Sequence, residues 1–541
     1  MTEVHYQPTI TTIPVAGHPA PRYEGADRKT PAPPQGEFID APGFPTAAKT
    51  QLANPVQRGN LHHAMTAIRT KRERVVTELD HWEELRLAGE AIKNRTLRHL
   101  DTYLVQLEES LTRAGVTVHW ARDAAEANAI ITRLVREALD DEDVTYDGTG
   151  VVGDEVVKVK SMVTQEIDMN EALEASGVAA WETDLAEIIV QLGHDRPSHF
   201  LVPAIHRNRA EVREIFLREM GQYGRPAPED LDSEPRNLAG AARLHLREKF
   251  LRAKVGISGA NFAVADTGTL CVVESEGNGR MCTTLPQTLI SVVGIEKVLP
   301  TFEDLEVFLQ LLPRSSTAER MNPYTSLWTG PAADGRDGPE KMHVVLLDNG
   351  RTHVLADQQG RAALRCIRCT ACLNVCPVYE KVGGHAYGSV YPGPIGSILT
   401  PQLRGTASAV DKSLPFASSL CGACFDVCPV RIPIPDLLVH MRAKVVDTKK
   451  AEAKTSKRPF LTHGEPAAMT AAAWMMADAT RWNAATKGSG LGGRLLGRVD
   501  HLGPLPGPLA AWTNARDVPI PPKESFRSWW KRERGSEGEQ S

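Results

Sequence analysis

The chain has 541 residues, with 62 Lys plus Arg, 67 Asp plus Glu and a net charge of −5. That length leaves room for roughly two to four domains and a sizeable core. The acidic balance argues against nucleic acid as the main partner, because phosphate binding wants a basic face. No apolar run approaches the roughly 18 residues of a spanning helix, so no transmembrane segment is expected. Residues 1–21 lack the basic and apolar regions of a signal peptide. The nine cysteines are clustered, which suits reduced thiolates holding a metal in a cytosolic protein better than a disulfide scaffold.

Residues 1–52 are rich in Pro, Thr, Ala and Gly and read as a flexible arm, with regular structure expected from Ala53. Leu97, Leu100, Leu104, Leu107 and Leu111 follow helical spacing, and Gly115 sits where a C-terminal cap belongs. Residues 116–120 then read as a strand and 123–139 as a second helix. Residues 200–202 are a short strand candidate. Segments 261–265 and 269–274 flank Asp266-Thr267-Gly268, a hairpin signal, and 343–347 precedes the turn signal Asp348-Asn349-Gly350. Such alternation predicts an α/β domain over 53–355 with a largely parallel sheet.

Seven cysteines fall in two runs. The first is Cys366, Cys369, Cys372 and Cys376, followed by Pro377; the second is Cys421, Cys424 and Cys428, followed by Pro429. C-x2-C-x2-C-x3-C-P is a ferredoxin signature, in which the last Cys of each run ligates the other cluster. Carried over, Cys366, Cys369, Cys372 and Cys428 hold cluster 1, and Cys376, Cys421 and Cys424 hold cluster 2. A full second run would have its first Cys where Ser418 stands. Three readings compete: a Ser418 oxygen ligand, an open iron taking water, substrate or a partner's residue, or a three-iron cluster. Cys271 or Cys282 arriving from elsewhere is a fourth. Zinc fits poorly, since it takes four ligands, usually in separated pairs. Cys376 and Cys421 are 45 positions apart, which leaves room for helices and predicts an α-helical ferredoxin-like domain over 356–445.

Gly383-Gly384-His385 and Tyr391-Pro392-Gly393-Pro394 follow the first run, where glycines could let backbone N–H groups approach cluster sulfides. Lys160, Glu274, Asn278 and Arg280 lie near expected strand ends and could form a pocket. Gly488, Gly490 and Gly493 match G-x-G-x-x-G in form only, because no strand precedes them. Residues 442–458 carry seven basic and two acidic residues, a solvated surface or a docking site for an acidic redox partner. Residues 446–541 form an extension ending on Phe526, Trp529 and Trp530.

The segments KSMVTQEIDMNEALEASG, ETDLAEIIVQL, PSHFLVPAIH, GANFAVADTGTLCVVESEGNGR, RCIRCTACLNVCPVYEKVGGHAYGSVYPGPIGSILTPQL, SSLCGACFDVCPVRIPI and ESFRSWW together resemble the lactate utilisation protein B family. The resemblance is dense over 55–445 and looser in the tail. It implies a lactate-utilisation (LUD) domain, similar to sugar-phosphate isomerases and CoA transferases, followed by the cluster domain. It also implies two partners, a cysteine-rich subunit and a second LUD-domain protein, which together with this chain convert L-lactate to pyruvate. The seven-cysteine pattern is the family's own, so Ser418 is no departure from it.

Two neighbouring clusters can relay, one at a time, the two electrons released from a 2-hydroxy acid, towards a quinone or another carrier. No flavin or nicotinamide motif is present, so no catalytic residue is assigned and the expected role is electron transfer in the cytoplasm or at the inner face of the membrane. Two rivals stand beside it: a LUD domain itself catalytic, and a binding module with structural clusters.

Overall fold

Six short strands make one sheet: β1 Thr117–Ala121, β2 Glu155–Lys158, β3 Ala179–Glu182, β4 Val255–Gly259, β7 Thr288–Gly294 and β10 Lys341–Leu347. Their order is β1-β10-β7-β4-β2-β3, and every neighbouring pair is parallel. Parallel strands are covered on both faces, which is why β7 is buried along its whole length. This computed structural model describes residues 41–140, 154–333, 335–455, 464–495, 501–502, 513 and 518–535, so most of the expected arm lies outside the described residues. The chain divides into two units, Met1–Arg442 and Ala443–Ser541.

A second, four-stranded sheet runs β8 (Val298–Leu299), β5 (Phe262–Val264), β6 (Thr269–Glu274), β9 (Tyr324–Trp328). The β5–β6 hairpin turns at Asp266-Thr267-Gly268 as expected, with Val264 opposite Thr269.

The first described helix, α1 (Phe44–Leu52), lies upstream of Ala53, with Pro45 in its first turn and Phe44 against Tyr387 at 5.0 Å. It is followed by α2 (Pro55–Thr77), α3 (Trp82–Arg98), α4 (Leu100–Arg113) and α5 (Ala124–Leu139). The leucine stripe expected in one helix is divided at His99, so Leu97 belongs to α3 and the other four leucines to α4. Asp123 caps α5, accepting the Glu126 N–H at 2.9 Å.

Residues 200–202 are not a strand. Nδ1 of buried His199 accepts the N–H groups of Leu201 and Val202, each at 3.0 Å. The side chain thus takes the donors that a strand ladder would need.

After β10 the described part of the first unit contains helices and no strand: among them Ala371–Asn374, Pro377–Val382, Gly393–Arg404, Ala423–Asp426 and the start of Ile434–Thr455. This is the helical cysteine region that the spacing predicted. In the second unit Gly488, Gly490 and Gly493 fall inside the helix Ala479–Leu495, so they form no phosphate-binding loop. Among the described residues no helix is long and apolar enough to cross a membrane.

Candidate metal centre

Cys366, Cys369, Cys372 and Cys428 line one small cavity, walled by Ile367, Ile395, Ile432 and Phe200. All four are buried. Cys376, Cys421 and Cys424 form a second group, in which Cys421 alone is exposed. Burial pushes the Cys424 thiol up to about 12, and the charges of Cys376 and Cys421 add to it. Burial, then Cys428 and Cys366, raises Cys369 further, and Cys372 feels Cys366, Cys369, Cys428 and Cys424. Buried thiols that oppose one another's ionisation need a cation among them to become thiolates. The two groups adjoin, because the helices Ala371–Asn374 and Ala423–Asp426 pack on each other.

The backbone around these sulfurs takes up unusual conformations. Arg368, Thr370, Leu420 and Arg431 have φ of 61°, 67°, 57° and 49°, and Gly422 has 88°. For a residue with a side chain this region costs roughly 1–2 kcal/mol, and it turns successive N–H groups inward into an anion-binding concavity. N–H groups reach the sulfurs from Arg368 to Cys366 (3.4 Å), Tyr379 to Cys376 (3.5 Å) and Ile432 to Cys428 (3.3 Å). Such bonds favour thiolate.

Charge completes the setting. α3 holds the second run through Arg86, which donates to the carbonyls of Cys428 (3.0 Å) and Phe425 (3.1 Å). Arg72 of α2 reaches the Val427 carbonyl at 3.0 Å, and Glu83 and Glu90 pair with Arg431. Beneath the first run lies a buried network. Arg351 bridges Glu296 and Glu166, Tyr391 donates to Glu166 at 2.6 Å, and Lys93 donates to the Glu296 carbonyl. Arg368 joins it at Glu296 and lies 4.7 Å from the centre of the Tyr391 ring. Lys297, next to Glu296, is also buried, and burial with Arg368 beside it brings its ammonium down to about 7. Three cations, Lys93, Arg351 and Arg368, thus face two carboxylates, Glu166 and Glu296, and Lys297 makes no bond within this network. A buried excess of positive charge is tolerable beside an anionic group, and a thiolate-bound iron–sulfur cluster is one. The residues present fit such a group. None of these charged residues is marked by a motif in the sequence.

The other expected residues distribute differently. Ser418 Oγ accepts the Leu420 N–H at 3.1 Å. Cys271 sits mid-strand in β6, paired with Phe262 of β5, and Cys282 contacts Thr183, and neither lines the cysteine cavity. Gly384 packs against the α/β part and not against a cysteine: its N–H donates to Ser198 Oγ at 3.0 Å, and a Cβ there would lie 1.9 Å from the Ser198 carbonyl oxygen. His385 donates to the Arg196 carbonyl at 2.7 Å. Lys160, Glu274 and Asn278 line one cavity, at the carboxyl ends of β2 and β4. Arg280 lies outside it, over the Tyr324 ring, lining a neighbouring cavity.

Comparison with known families matches residues 104–347 to the LUD domain, 362–432 to the 4Fe-4S dicluster domain and 442–535 to the C-terminal domain of lactate utilisation protein B. Lactate utilization protein B of Bacillus subtilis is 39% identical over 494 residues, 91% of this chain and 96% of that protein. The chain belongs to the lactate utilisation protein B family. Lactate utilization protein B 1 of Bacillus mycoides is 39% identical over 490 residues, covering 90% of this chain and 96% of that one. An uncharacterized electron transport protein of Escherichia coli, YkgF, is 40% identical over 499 residues, covering 91% and 97%. A solved structure of a DUF162 family protein from Deinococcus radiodurans aligns with 46% of this chain and 98% of its own, at 15% identity and a TM-score of 0.24. This member of the lactate utilisation protein B family thus joins a mixed α/β part to a 4Fe-4S dicluster domain.

Proposed function

We propose that the chain is the iron–sulfur electron-transfer subunit of a system that oxidises L-lactate to pyruvate, in the cytoplasm or at the inner face of the membrane. In this reading Cys366, Cys369, Cys372 and Cys428 hold one [4Fe–4S] cluster. Cys376, Cys421 and Cys424 hold a second, with one corner left to a non-cysteine ligand near Ser418. When bound, such clusters pass single electrons. The observation that carries the reading is the arrangement of the seven sulfurs: a buried group of four adjoining a group of three that reaches the surface at Cys421. The buried group is shielded from water by Ile367, Ile395, Ile432 and Phe200. The exposed one offers the place where a partner can approach. That partner is a cysteine-rich subunit or a second LUD-domain protein of the same system, with a quinone-linked acceptor beyond.

The test is growth of a deletion strain on L-lactate as sole carbon source, with glycolate and D-lactate as controls. Growth on L-lactate alone should fail, and the wild-type chain but not Cys424→Ser should restore it. Anaerobically purified protein should carry about eight iron and eight sulfide, or about seven iron if the second cluster lacks one. A colourless, zinc-loaded protein, or a deletion strain that grows normally, rejects the reading.

A further inference from the structure

The cavity at the carboxyl ends of β2 and β4 has no role in electron transfer as proposed above, yet it is built like a ligand site. Its place is telling. From β2 the chain proceeds outward to β3, whereas from β4 it proceeds the other way, to β7 and then β10. The crevice between β2 and β4 is therefore the switch point of the sheet, where open parallel sheets bind ligands. The cavity volume is about 330 Å³, at the small end for ligand sites.

The walls divide into an acidic end and a cationic end. At the acidic end every carboxylate already has a partner. Glu274 accepts the N–H groups of Gly279 and Arg280 at 2.8 and 2.7 Å, and Glu276 accepts that of Leu185 at 2.9 Å. Lys160, 4.0 Å from Asp184, donates to the Leu201 carbonyl at 2.5 Å. At the cationic end Lys297 also lines the cavity. It is 6% exposed, and among the described residues its ammonium has no hydrogen bond or ion pair. An ammonium so enclosed is costly without an anion to receive it. Arg368 lines the same end, and its Nε and Nη1 have no partner among the described residues. Room for a ligand is kept by Gly259, where a Cβ would meet Ser161 Oγ at 2.5 Å.

This cavity also adjoins the first cysteine group. Phe200 lines both, and Arg368 stands between Cys366 and Cys369 in the chain while its side chain reaches the cavity. We infer that the cavity binds a small carboxylate, its anionic end on Lys297 and Arg368, directly behind the cavity formed by Cys366, Cys369, Cys372 and Cys428. The anion site stands on this geometry. That the carboxylate is a 2-hydroxy or 2-oxo acid rests on the function proposed above.

Full-length protein, purified anaerobically with iron and sulfide measured, is titrated calorimetrically with pyruvate, L-lactate and inorganic phosphate. A carboxylate should bind saturably, Lys297→Met should weaken binding at least tenfold with iron content unchanged, and Arg243→Met in the neighbouring cavity should change nothing. Pyruvate should also shift the electron paramagnetic resonance signal of one reduced cluster, and the shift should vanish in Lys297→Met. If that variant does not accumulate, Ser161→Leu, which fills the cavity, should abolish binding. Absence of saturable carboxylate binding by an iron-replete chain overturns the inference. Unimpaired binding in Lys297→Met overturns it too, and so does phosphate displacing both carboxylates. Growth on L-lactate separates the two ideas: a chain that binds pyruvate but is dispensable for growth keeps the site and loses the proposed function, and the reverse loses the site alone.

Discussion

Arg368 donates to Glu296 Oε1 at 3.2 Å, tying the first cysteine loop to the turn that follows β7. The bond fixes a buried guanidinium beside Cys366, where its positive charge acts on whatever the thiolates hold. Reduction adds a negative charge there, so this cation favours the reduced form. Arg368→Gln should therefore lower the midpoint potential of one cluster, by on the order of 100 mV. A redox titration followed by electron paramagnetic resonance checks it, and an unchanged potential for both clusters would show that the guanidinium is screened.

The difference in exposure between the two cysteine groups predicts an order of loss. Cys421 is exposed, while Cys366, Cys369, Cys372 and Cys428 are buried. On titration with oxygen or a chelator, iron held by the group of three should leave first, in a separate phase. Absorbance and iron content followed in time would show two phases. A single phase removing all the iron together contradicts the assignment.

At Gly384 the cysteine region packs tightly against the α/β part. A Cβ at that position would lie 1.9 Å from the Ser198 carbonyl oxygen, so backbone must move to admit it. Gly384→Ala should cost about 2–4 kcal/mol, as overpacking and loss of the Ser198 hydrogen bond combine. Thermal unfolding measures this, and a variant of wild-type stability would show that the contact yields easily.

Two buried histidines give a pH dependence. Burial, with Lys160 near His199 and Lys249 near His245, holds each ring near 3, well below its usual 6.5. In the folded chain both rings stay neutral between those values, while in the unfolded chain they take up protons. Stability therefore falls as pH drops below about 6.5, by about 2 kcal/mol for each ring at pH 5. His245 lies apart from the cysteines and Nδ1 donates to the Arg225 carbonyl at 2.8 Å, a bond that glutamine can keep. His245→Gln should flatten its share of the slope in melting temperature between pH 7 and pH 5, and an equally steep slope would assign the effect elsewhere.

Local signals carried much of this molecule. The apolar run of β10 and the Asp266-Thr267-Gly268 turn read directly as strand and hairpin, because burial leaves little choice of residue along β10. The cysteine loops are equally local. The failures are tertiary. His199 removes residues 200–202 from any strand by capturing their N–H groups, and no spacing announces that. Lys93, Lys297, Arg351 and Arg368 come together from four distant places, each an ordinary surface residue by type. Of the pocket read from strand ends, Lys160, Glu274 and Asn278 meet, while Arg280 turns to Tyr324.

Arg86 holds the Cys428 carbonyl across 342 positions of sequence. During synthesis the clamp is therefore made long before the loop it grips, and helices α2 and α3 must wait with the Arg72 and Arg86 bonds to that loop unmade until the second run has emerged. A chain cut anywhere between β1 and Cys366 would separate holder from held, so the cysteine region cannot be lifted out as a free-standing module with its setting intact.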